Sequence, residues 1–386
     1  MDPYQLTEEQ QQIVDMVRKF SRNEVDPLAA EIDRTDAFPR ELWDKMGELG
    51  MMGIGIPEAY GGVGGDLMTS VLAIKALGGS AGLALSYGAH LNLCAYNILR
   101  NGNEDQRQRY LPRLASGEWI GALGLTEPGA GSDAVGLRST ADKDGDHYVL
   151  NGTKTFITNA PIADVAIIYA KTYPKAGPMG ITAFIVETDT PGFTTPGKLK
   201  KMGHHGSPTG EIVMEDVRVP AANVIGNENM GVAVLMGGLD VERAFFAGAA
   251  IGMSERAFEL ALKYAQEREQ FNRPIARFQL IQAKLADMYT KIEAAKGLAI
   301  RAVREAEQME RGGKGTGIHR LAAAALLFAA RTAEEVVYDA VQIHGGYGYM
   351  DEYEVSRLYR DVRLFTIGAG TTEVRQLVIA RELLGM

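Results

Sequence analysis

The chain has 386 residues, 46% of them hydrophobic and 23% charged, which is typical of a globular protein with two or three packed domains. A net charge of -9 argues against a nucleic-acid-binding surface, and no apolar run reaches the ~18 residues that span a bilayer. The single cysteine, Cys94, excludes an intrachain disulfide, and its apolar neighbours predict a packed thiol. The acidic N-terminal sequence is unlike a signal or transit peptide, so we expect a cytoplasmic protein, with a processed mitochondrial matrix form as the alternative.

The first zone, which runs to about residue 118, has the apolar spacing of helices. Thr7 and Gln10 have the spacing of a capping box, and Ile13, Val17 and Phe20 then recur at helical intervals. The zone therefore predicts an N-terminal helical domain.

The second zone, residues 119–230, changes to the pattern of short β-strands. Strand-like runs at 148–150 and 155–158 flank Asn151-Gly152, which predicts a hairpin turn at that dipeptide. Because no ten-residue helical patterns alternate with the strands, an antiparallel barrel or sandwich is favoured over a parallel sheet.

The third zone, residues 231–386, is helical again. Ile281, Leu285, Met288 and Ile292 mark one face of a long helix, and residues 323–343 form another helical run. The glycine-rich stretch at 312–315 predicts a break between two helices.

Most familiar catalytic motifs are missing from the chain. It lacks a Walker loop, a dinucleotide-binding glycine motif after a strand, His-Glu-x-x-His and Gly-x-Ser-x-Gly. His204-His205 has no third ligand at suitable spacing, so we predict no metal site. Three segments remain that composition does not explain: a Gly-rich turn at 125–133, Leu-Asp-Val-Glu-Arg at 239–243 and Gly-Ala-Gly-Thr-Thr-Glu at 368–373.

These segments resemble the acyl-CoA dehydrogenase family, and the resemblance covers essentially the whole chain. The motifs that match, in the family's order, are Thr-Glu-Pro-Gly-Ala-Gly-Ser-Asp at 126–133, Phe-Ile-Thr-Asn at 156–159, Glu-Arg-Glu-Gln-Phe at 267–271 and Gly-Thr-Thr-Glu at 370–373. The resemblance implies an α+β fold with an N-terminal helical domain (1–118), a middle antiparallel β-barrel-like domain (119–230) and a C-terminal four-helix bundle (231–386). It also implies an FAD enzyme that removes two hydrogens from the acyl part of a coenzyme A thioester and passes electrons to electron-transfer flavoprotein.

The isovaleryl-CoA branch of the family is the most similar to this chain. Most members carry the catalytic glutamate in the C-terminal loop, where this chain has Ala369. The isovaleryl branch also has alanine there and places its base on a helix, in a Leu-Asp-x-Glu-Arg motif that points to Glu242. Gly238 and Phe246, four residues away on either side, offer Glu242 no ion-pair partner, which favours a buried carboxylate with a raised pKa over a solvated one. Arg243 points about 100° away on the helix, so we expect it not to oppose that rise.

By the same resemblance, three groups of residues are expected to bind the ligands. The FAD of the same subunit should contact Leu123, Leu125, Thr126, Gly131, Ser132, Phe156, Ile157, Thr158, Thr371 and Glu373. The FAD of a neighbouring subunit, in a homotetramer built as a dimer of dimers, should contact Arg268, Gln279, Gln342, Gly345 and Gly346. Phe271 is also expected to bind the cofactor. The acyl-CoA should lie along Ser132, Asp240, Arg243, Phe246 and Gly370. The backbone N–H of Ala369 is expected to bind the thioester oxygen as enolate charge develops, and the β-hydride is expected to go to flavin N5.

The resemblance implies a short or branched acyl group, but several residues depart from the isovaleryl pattern. Phe246 replaces a leucine one helical turn from Glu242 and would reshape the acyl cavity. His205, Ala233 and Pro178-Met179 replace an arginine, a tyrosine and a Ser-Arg pair on the expected path of the substrate. The alternatives are a straight-chain, cyclic or other unusual acyl-CoA, an enoyl-CoA reductase, an oxidase that uses O₂, and a non-catalytic FAD-binding scaffold.

Overall fold

The predicted capping box begins the first helix of the chain. In the computed structural model, which describes residues 6–80, 82–310 and 317–386, Thr7 Oγ1 accepts the N–H of Gln10 and Gln10 Oε1 accepts the N–H of Thr7, both at 3.1 Å. π-Helical segments at Ser21–Val25 and Ala89–Ala95 follow the first and fifth helices. The helices that precede the sheet are α1 (Glu8–Phe20), α2 (Ala29–Thr35), α3 (Arg40–Glu48), α4 (Leu67–Leu77), α5 (Leu83–Gly88), α6 (Tyr96–Asn101) and α7 (Glu104–Ala115).

A mainly antiparallel sheet forms the middle of the chain. Its strands are β1 (Gly121–Gly124), β2 (Thr140–Asp144), β3 (His147–Thr158), β4 (Val165–Lys171), β5 (Ile181–Glu187), β6 (Phe193–Thr194), β7 (Thr209–Pro220) and β8 (Val224–Ile225). They follow the order β6-β7-β3-β2-β4-β5-β8, and β1 pairs with β4. Both β1 and β2 pair with β4 in parallel, β1 at the start of β4 and β2 at its end. The predicted antiparallel domain is confirmed apart from these two contacts.

The hairpin predicted at Asn151-Gly152 is wrong. Strand β3 continues through both residues and pairs with β7, while the turn falls at Gly145-Asp146 between β2 and β3. Asn151 accepts the N–H of Asp216 on β7 at 2.9 Å and donates to its carboxylate at 3.1 Å. Gly152 has a φ of 143° where the register with β7 shifts, and the dipeptide lies opposite a β-bulge in β7, where Glu215 and Asp216 together face Asn151. Asn-Gly indicated a turn because turns and bulges both use backbone conformations that glycine adopts most readily.

Helices again dominate after the sheet, as the sequence predicts. They are α8 (Gly231–Glu267), α9 (Gln279–Glu310), α10 (Ile318–His344), α11 (Glu354–Val362) and α12 (Thr372–Leu384), and a small hairpin of β9 (Glu269–Gln270) and β10 (Arg273–Pro274) follows α8. The helix break predicted at 312–315 lies outside the described residues. The domain boundaries at 118 and 230 stay predictions. None of the described helices is both long enough and apolar enough to cross a bilayer.

Helix α8 packs against elements from the N-terminal, middle and C-terminal parts of the chain. Every residue from Asp240 to Ser254 is buried, and the helix packs against α4, α9, α10 and β5. Gly252 permits the close approach of α4, because a Cβ at this position would lie 2.2 Å from the carbonyl oxygen of Lys75. A second, smaller core that includes Leu150, Ile168 and Phe184 lies within the sheet domain. Because this part of α8 is buried, Glu242 lies in the interior of the protein.

Candidate active site

Glu242 is a buried carboxyl on α8, with 7% of its surface exposed. Burial raises its pKa to about 7, and the positive charges of Arg243 and Arg375 oppose that rise. Within the described ranges, no side chain donates a hydrogen bond to the Glu242 carboxylate or forms an ion pair with it. The expectation that Arg243 would not oppose the raised pKa is wrong, because a charge acts across a low-dielectric interior without contact. The result is a carboxyl group that titrates near neutral pH, as a general base must.

Asp240 and Arg243 form a buried ion pair on the same helix. Nη1 of Arg243 donates to Oδ1 of Asp240 at 3.1 Å, and the imidazole of His319 on α10 pairs with the other carboxylate oxygen. Burial raises the pKa of Asp240, and the charges of His319 and Arg243 oppose this effect. Nε of Arg243 is buried and has no partner among the residues that the structure describes. The pair therefore retains a free donor beside Glu242.

The loop that leads into α12 presents a free backbone donor. Ala369 and Gly370 have positive φ values of 53° and 83°. A left-handed alanine costs roughly 1–2 kcal/mol and persists only where its surroundings hold it. The carbonyl of Gly368 accepts a hydrogen bond from Arg375, which fixes the loop from the side of α12. The N–H of Ala369 has no hydrogen-bond partner in the described part of the chain.

The segments predicted to hold FAD come together where β1 and β3 end. The N–H of Thr155 donates to the carbonyl of Thr126 at 2.9 Å, and the buried Lys154 pairs with Glu127 at 2.8 Å. Phe156 is 69% exposed and has a φ of 60°, so its backbone turns the ring out of the sheet. The other predicted contacts are Gly131 and Ser132, which are exposed, Leu123, Leu125, Thr126 and Thr158, which are half-buried, and Ile157, which is buried.

Three residues predicted to contact the FAD of a neighbouring subunit line one surface cavity of about 510 Å³. Arg268, Gly345 and Gly346 line it together with aromatic side chains. The guanidinium of Arg268 lies 5.4 Å from the ring centroid of Tyr347. A cationic group, aromatic rings and an exposed glycine pair suit a nucleotide, which carries both a phosphate and a flat ring.

The remaining predicted cofactor residues lie apart from that cavity. Phe271, Gln279 and Gln342 are exposed and do not line it. Thr371 is the N-cap of α12 and Glu373 lies in its first turn. In the described ranges, neither makes a hydrogen bond to β1 or β3.

Phe246 forms a contact between α8 and α5. Phe246 is 7% exposed. Its ring occupies the space that a side chain at position 88 would need, because a Cβ added to Gly88 would lie 3.0 Å from the Cζ of Phe246. Because Phe246 is four residues from Glu242, the two side chains lie on the same side of α8. The ring that shares a side of α8 with Glu242 therefore packs against the C-terminal end of α5.

His205 takes part in a junction between the N-terminal helices and the sheet domain. Its Nδ1 lies 2.8 Å from a carboxylate oxygen of Asp33, and its Nε2 lies 3.0 Å from the carbonyl of Lys201. Met179, another departure from the isovaleryl pattern, is 66% exposed.

Sequence reasoning missed three residues near Glu242. His319 pairs with Asp240, and the charge of Glu242 contributes to the raised pKa of the buried Tyr169 on β4. The charge of Arg375 lowers the pKa of Glu242, and its guanidinium donates to the carbonyl of Gly368 in the loop that carries Ala369. The sequence marks Arg375 only as a cation near a helix N-terminus, where it opposes the helix dipole, and this does not show which groups it contacts.

Comparison with known proteins identifies the family. Models of the N-terminal, middle and C-terminal domains of acyl-CoA dehydrogenases match residues 7–118, 122–217 and 229–384. The mitochondrial isovaleryl-CoA dehydrogenase of Pongo abelii is 46% identical over 381 residues, which cover 97% of this chain and 89% of that protein. The chain belongs to the acyl-CoA dehydrogenase family, and it is a flavin-dependent oxidoreductase whose cofactor is FAD.

Two solved structures share the fold. The butyryl-CoA dehydrogenase of Megasphaera elsdenii has a TM-score of 0.95 at 41% identity, and the match covers 100% of both chains. An acyl-CoA dehydrogenase of Bacillus anthracis, solved in complex with FAD, has a TM-score of 0.93 at 37% identity, with 100% of this chain and 68% of that chain covered. The helical, β and helical order predicted from the sequence is thereby confirmed.

Proposed function

We propose that this enzyme converts a short-chain or branched acyl-CoA to the enoyl-CoA, with Glu242 as the base that removes the α-proton. The observation that carries the proposal is the burial of the Glu242 carboxyl without a hydrogen-bond or ion-pair partner in the described residues. A partnered carboxylate would be stabilised in its charged form and would be a weak base. An unpartnered one has a pKa of about 7 and can accept a proton at physiological pH.

The backbone N–H of Ala369 is proposed to polarise the thioester. An α-proton beside a thioester becomes acidic when its carbonyl oxygen receives a hydrogen bond as enolate charge develops. The Ala369 N–H has no partner in the described chain, and its loop is held by Arg375. Ser132, Asp240, Arg243, Phe246 and Gly370 are proposed to line the substrate.

FAD supplies the acceptor for the hydride that leaves the β-carbon. The exposed turn at Gly131 and Ser132, beside the outward ring of Phe156, offers N–H groups, a hydroxyl and an apolar face that suit the cofactor. The predicted contacts from Leu123 to Thr158, together with Thr371 and Glu373, are proposed to bind it in the same subunit. Arg268, Gln279, Gln342, Gly345 and Gly346 are proposed to reach the cofactor of a neighbour, and Phe271 is also proposed to bind FAD.

The neighbouring subunit is proposed to belong to a homotetramer, a dimer of dimers. Large apolar side chains that a single chain leaves exposed support this assembly: Phe271 is 87% exposed, Leu280 82% and Leu384 70%. Electron-transfer flavoprotein is proposed as the electron acceptor on the strength of the family resemblance. A reducing, cytoplasm-like compartment accords with the buried thiol of Cys94, whose pKa burial raises to about 12.

Anaerobic mixing of the FAD-loaded enzyme with isovaleryl-, butyryl- and cyclic acyl-CoAs tests the proposal. We expect a short or branched acyl-CoA to bleach the flavin absorbance within seconds, and we expect slow recovery of the colour in air. Rapid recovery in air would identify an oxidase. Absence of bleaching with every thioester, together with flavin reoxidation by an enoyl-CoA after chemical reduction, would identify a reductase.

A further inference from the structure

Arg375 is fully buried, yet most of its hydrogen-bonding capacity is unused. Its exposed fraction is 0%, and it is among the largest side chains that the structure buries completely. Nη2 donates to the carbonyl of Gly368, whereas Nε and Nη1 have no partner among the described residues. Desolvation, with the nearby charge of Arg243, lowers the pKa of Arg375 to about 10, so the guanidinium remains charged at neutral pH. A buried cation of this kind is costly, which calls for an account of what it does.

The hydrogen bond from Arg375 to Gly368 acts on the loop that carries the proposed thioester donor. Gly368 is bonded to Ala369 through one peptide unit, so the carbonyl that Arg375 binds and the N–H of Ala369 belong to the same rigid plane. Fixing that carbonyl oxygen therefore fixes the direction of the free N–H. The left-handed φ of Ala369 makes such support necessary, because alanine disfavours that conformation.

The charge of Arg375 acts on Glu242. The groups that face this carboxyl come from three elements: Arg243 beside it on α8, Arg375 on α12 and the hydroxyl of Tyr169 on β4. The charge of Arg243 is shared with Asp240, to which it donates a hydrogen bond. Arg375 makes no ion pair in the described chain, so its charge is not neutralised locally.

We propose that Arg375 is a positioning residue of the dehydrogenation site, holding the Ala369 N–H towards the thioester oxygen and favouring the ionised form of Glu242. This inference rests on the proposed function for its catalytic part. One side chain thereby couples the two groups that act on the substrate, the base and the donor. Arginine suits both tasks, because its planar guanidinium gives directional hydrogen bonds and keeps its charge when buried.

Two variants separate the two tasks. Arg375→Lys keeps the charge but loses the planar fork, so we expect a slower flavin reduction at every pH without a displaced pH profile. Arg375→Gln also removes the charge, so the pKa of Glu242 should rise and the acidic limb of the rate should move up by about one pH unit. We expect both variants to lose roughly tenfold or more in the rate at the optimum, as enzymes do when a donor to a developing oxyanion is misplaced.

A second readout does not need turnover. The infrared carboxyl band that is present in the FAD-loaded wild type and absent from Glu242→Gln reports the protonation of Glu242. Its titration midpoint should move up in Arg375→Gln and remain in place in Arg375→Lys. Arg357→Gln is the matched control, because Arg357 is also buried and donates to a backbone carbonyl, that of Gly79. It should lower the melting temperature without moving the midpoint.

The two readouts separate the inference from the proposed function. A wild type that acyl-CoAs reduce, with an Arg375→Gln variant that matches it in rate and in titration midpoint, overturns the role of Arg375. A wild type that no acyl-CoA reduces overturns the proposed function and the catalytic part of this inference, whatever the midpoint does. Should Arg375→Gln fail to fold with FAD, an unchanged rate in Arg375→Lys would overturn the loop role.

Discussion

Glu242 is a carboxyl group in a buried position, where ionisation costs free energy. Its burial without a hydrogen bond or ion pair in the described chain raises its pKa from 4.5 to about 7. A native carboxyl with a raised pKa binds its proton more tightly than the unfolded chain does. Between those two pH values the free energy of unfolding therefore falls as the pH rises. The property that suits Glu242 to its proposed role as a base therefore reduces stability at alkaline pH.

Glu242→Gln should consequently stabilise the protein at alkaline pH. Glutamine keeps the shape of the protonated carboxyl and never ionises, so the free energy of unfolding at pH 8 should rise by up to about 3 kcal/mol. The difference should shrink as the pH falls from 7 to 4.5 and be lost by about pH 4, where the wild-type carboxyl is protonated in both states. Urea denaturation at the two pH values measures it, with Glu382→Gln, an exposed position, as the control. A Glu242→Gln variant less stable than the wild type at pH 8 would contradict the unpartnered state of this carboxyl.

Phe246→Leu tests the residue that packs beside Glu242. The smaller side chain leaves room next to Gly88, so we expect the ratio of kcat/KM for isovaleryl-CoA over butyryl-CoA to rise by roughly tenfold. Phe245→Leu is the control, because Phe245 is also buried but lies one position away on the helix and points elsewhere. An equal change of the ratio in both variants would indicate a general loosening of α8 rather than a wall of the acyl pocket.

The burial of Glu242 could be predicted from the sequence, whereas the importance of Arg375 could not. Glu242 has glycine and phenylalanine at the helical positions where a solvated glutamate often has a basic partner, and that pattern is local. The role of Arg375 depends on the approach of α12 to α8 and on its hydrogen bond to the carbonyl of Gly368. Neither can be inferred from the types of the neighbouring residues in the sequence. The effect of Arg243 was likewise misjudged, since contact geometry governs hydrogen bonds but not Coulombic fields.

At the scale of elements, a buried ion pair between Lys154 and Glu127 holds the turn that follows β1 against strand β3. Lys154 of β3 is fully buried and reaches Glu127, whose carboxylate also accepts the N–H of Ser139 at 2.9 Å and of Arg138 at 2.6 Å. These bonds and the charge of Lys154 overcome the effect of burial and lower the pKa of Glu127. The pair holds together the turn and the strand that are proposed to bind FAD.

Lys154→Met should therefore destabilise the protein strongly. Removing one partner leaves the Glu127 carboxylate buried with its charge uncompensated, which costs about 3–5 kcal/mol of the free energy of unfolding. Lys143→Met on β2 removes an exposed pair with Glu228 at 3.8 Å and should cost less than about 1 kcal/mol. Equal losses in the two variants, measured by urea denaturation, would show that burial of the Lys154 pair has no special role.

Strand positions were predicted better than strand connections. The strand-like runs predicted at 148–150 and 155–158 both lie within β3, because strand residues carry a local signal of their own. The connection at Asn151-Gly152 was wrong, because local sequence cannot tell a turn from a bulge that a partner strand stabilises. That partner is β7, more than fifty residues further along the chain.

At the scale of the whole molecule, a single chain holds only part of what FAD is proposed to contact. The cavity lined by Arg268, Gly345 and Gly346 and the turn at Gly131-Ser132 come from different regions of the chain. Cofactor binding shared between subunits would link FAD occupancy to assembly and to folding. The order of the helical, β and helical parts could be predicted from the sequence, whereas the approach of Arg268 to the end of α10 depends on the packed structure.

Arg268→Ala should weaken FAD binding by tenfold or more, because it removes the cation of the surface cavity. We expect the variant to release FAD on dilution and to show a lower melting temperature that added FAD restores. Arg277→Ala, an exposed arginine that does not line the cavity, is the control. Full FAD retention by Arg268→Ala in dilute solution, measured by flavin fluorescence, would place the nucleotide elsewhere.

The base assigned to Glu242 is tested most directly by stopped-flow reduction of the FAD-loaded Glu242→Gln variant under anaerobic conditions. With the acyl-CoA that reduces the wild type fastest, the rate of flavin bleaching should fall by roughly 10³-fold or more, while FAD content and thioester binding remain. Bleaching at a rate close to that of the wild type would show that another group removes the α-proton.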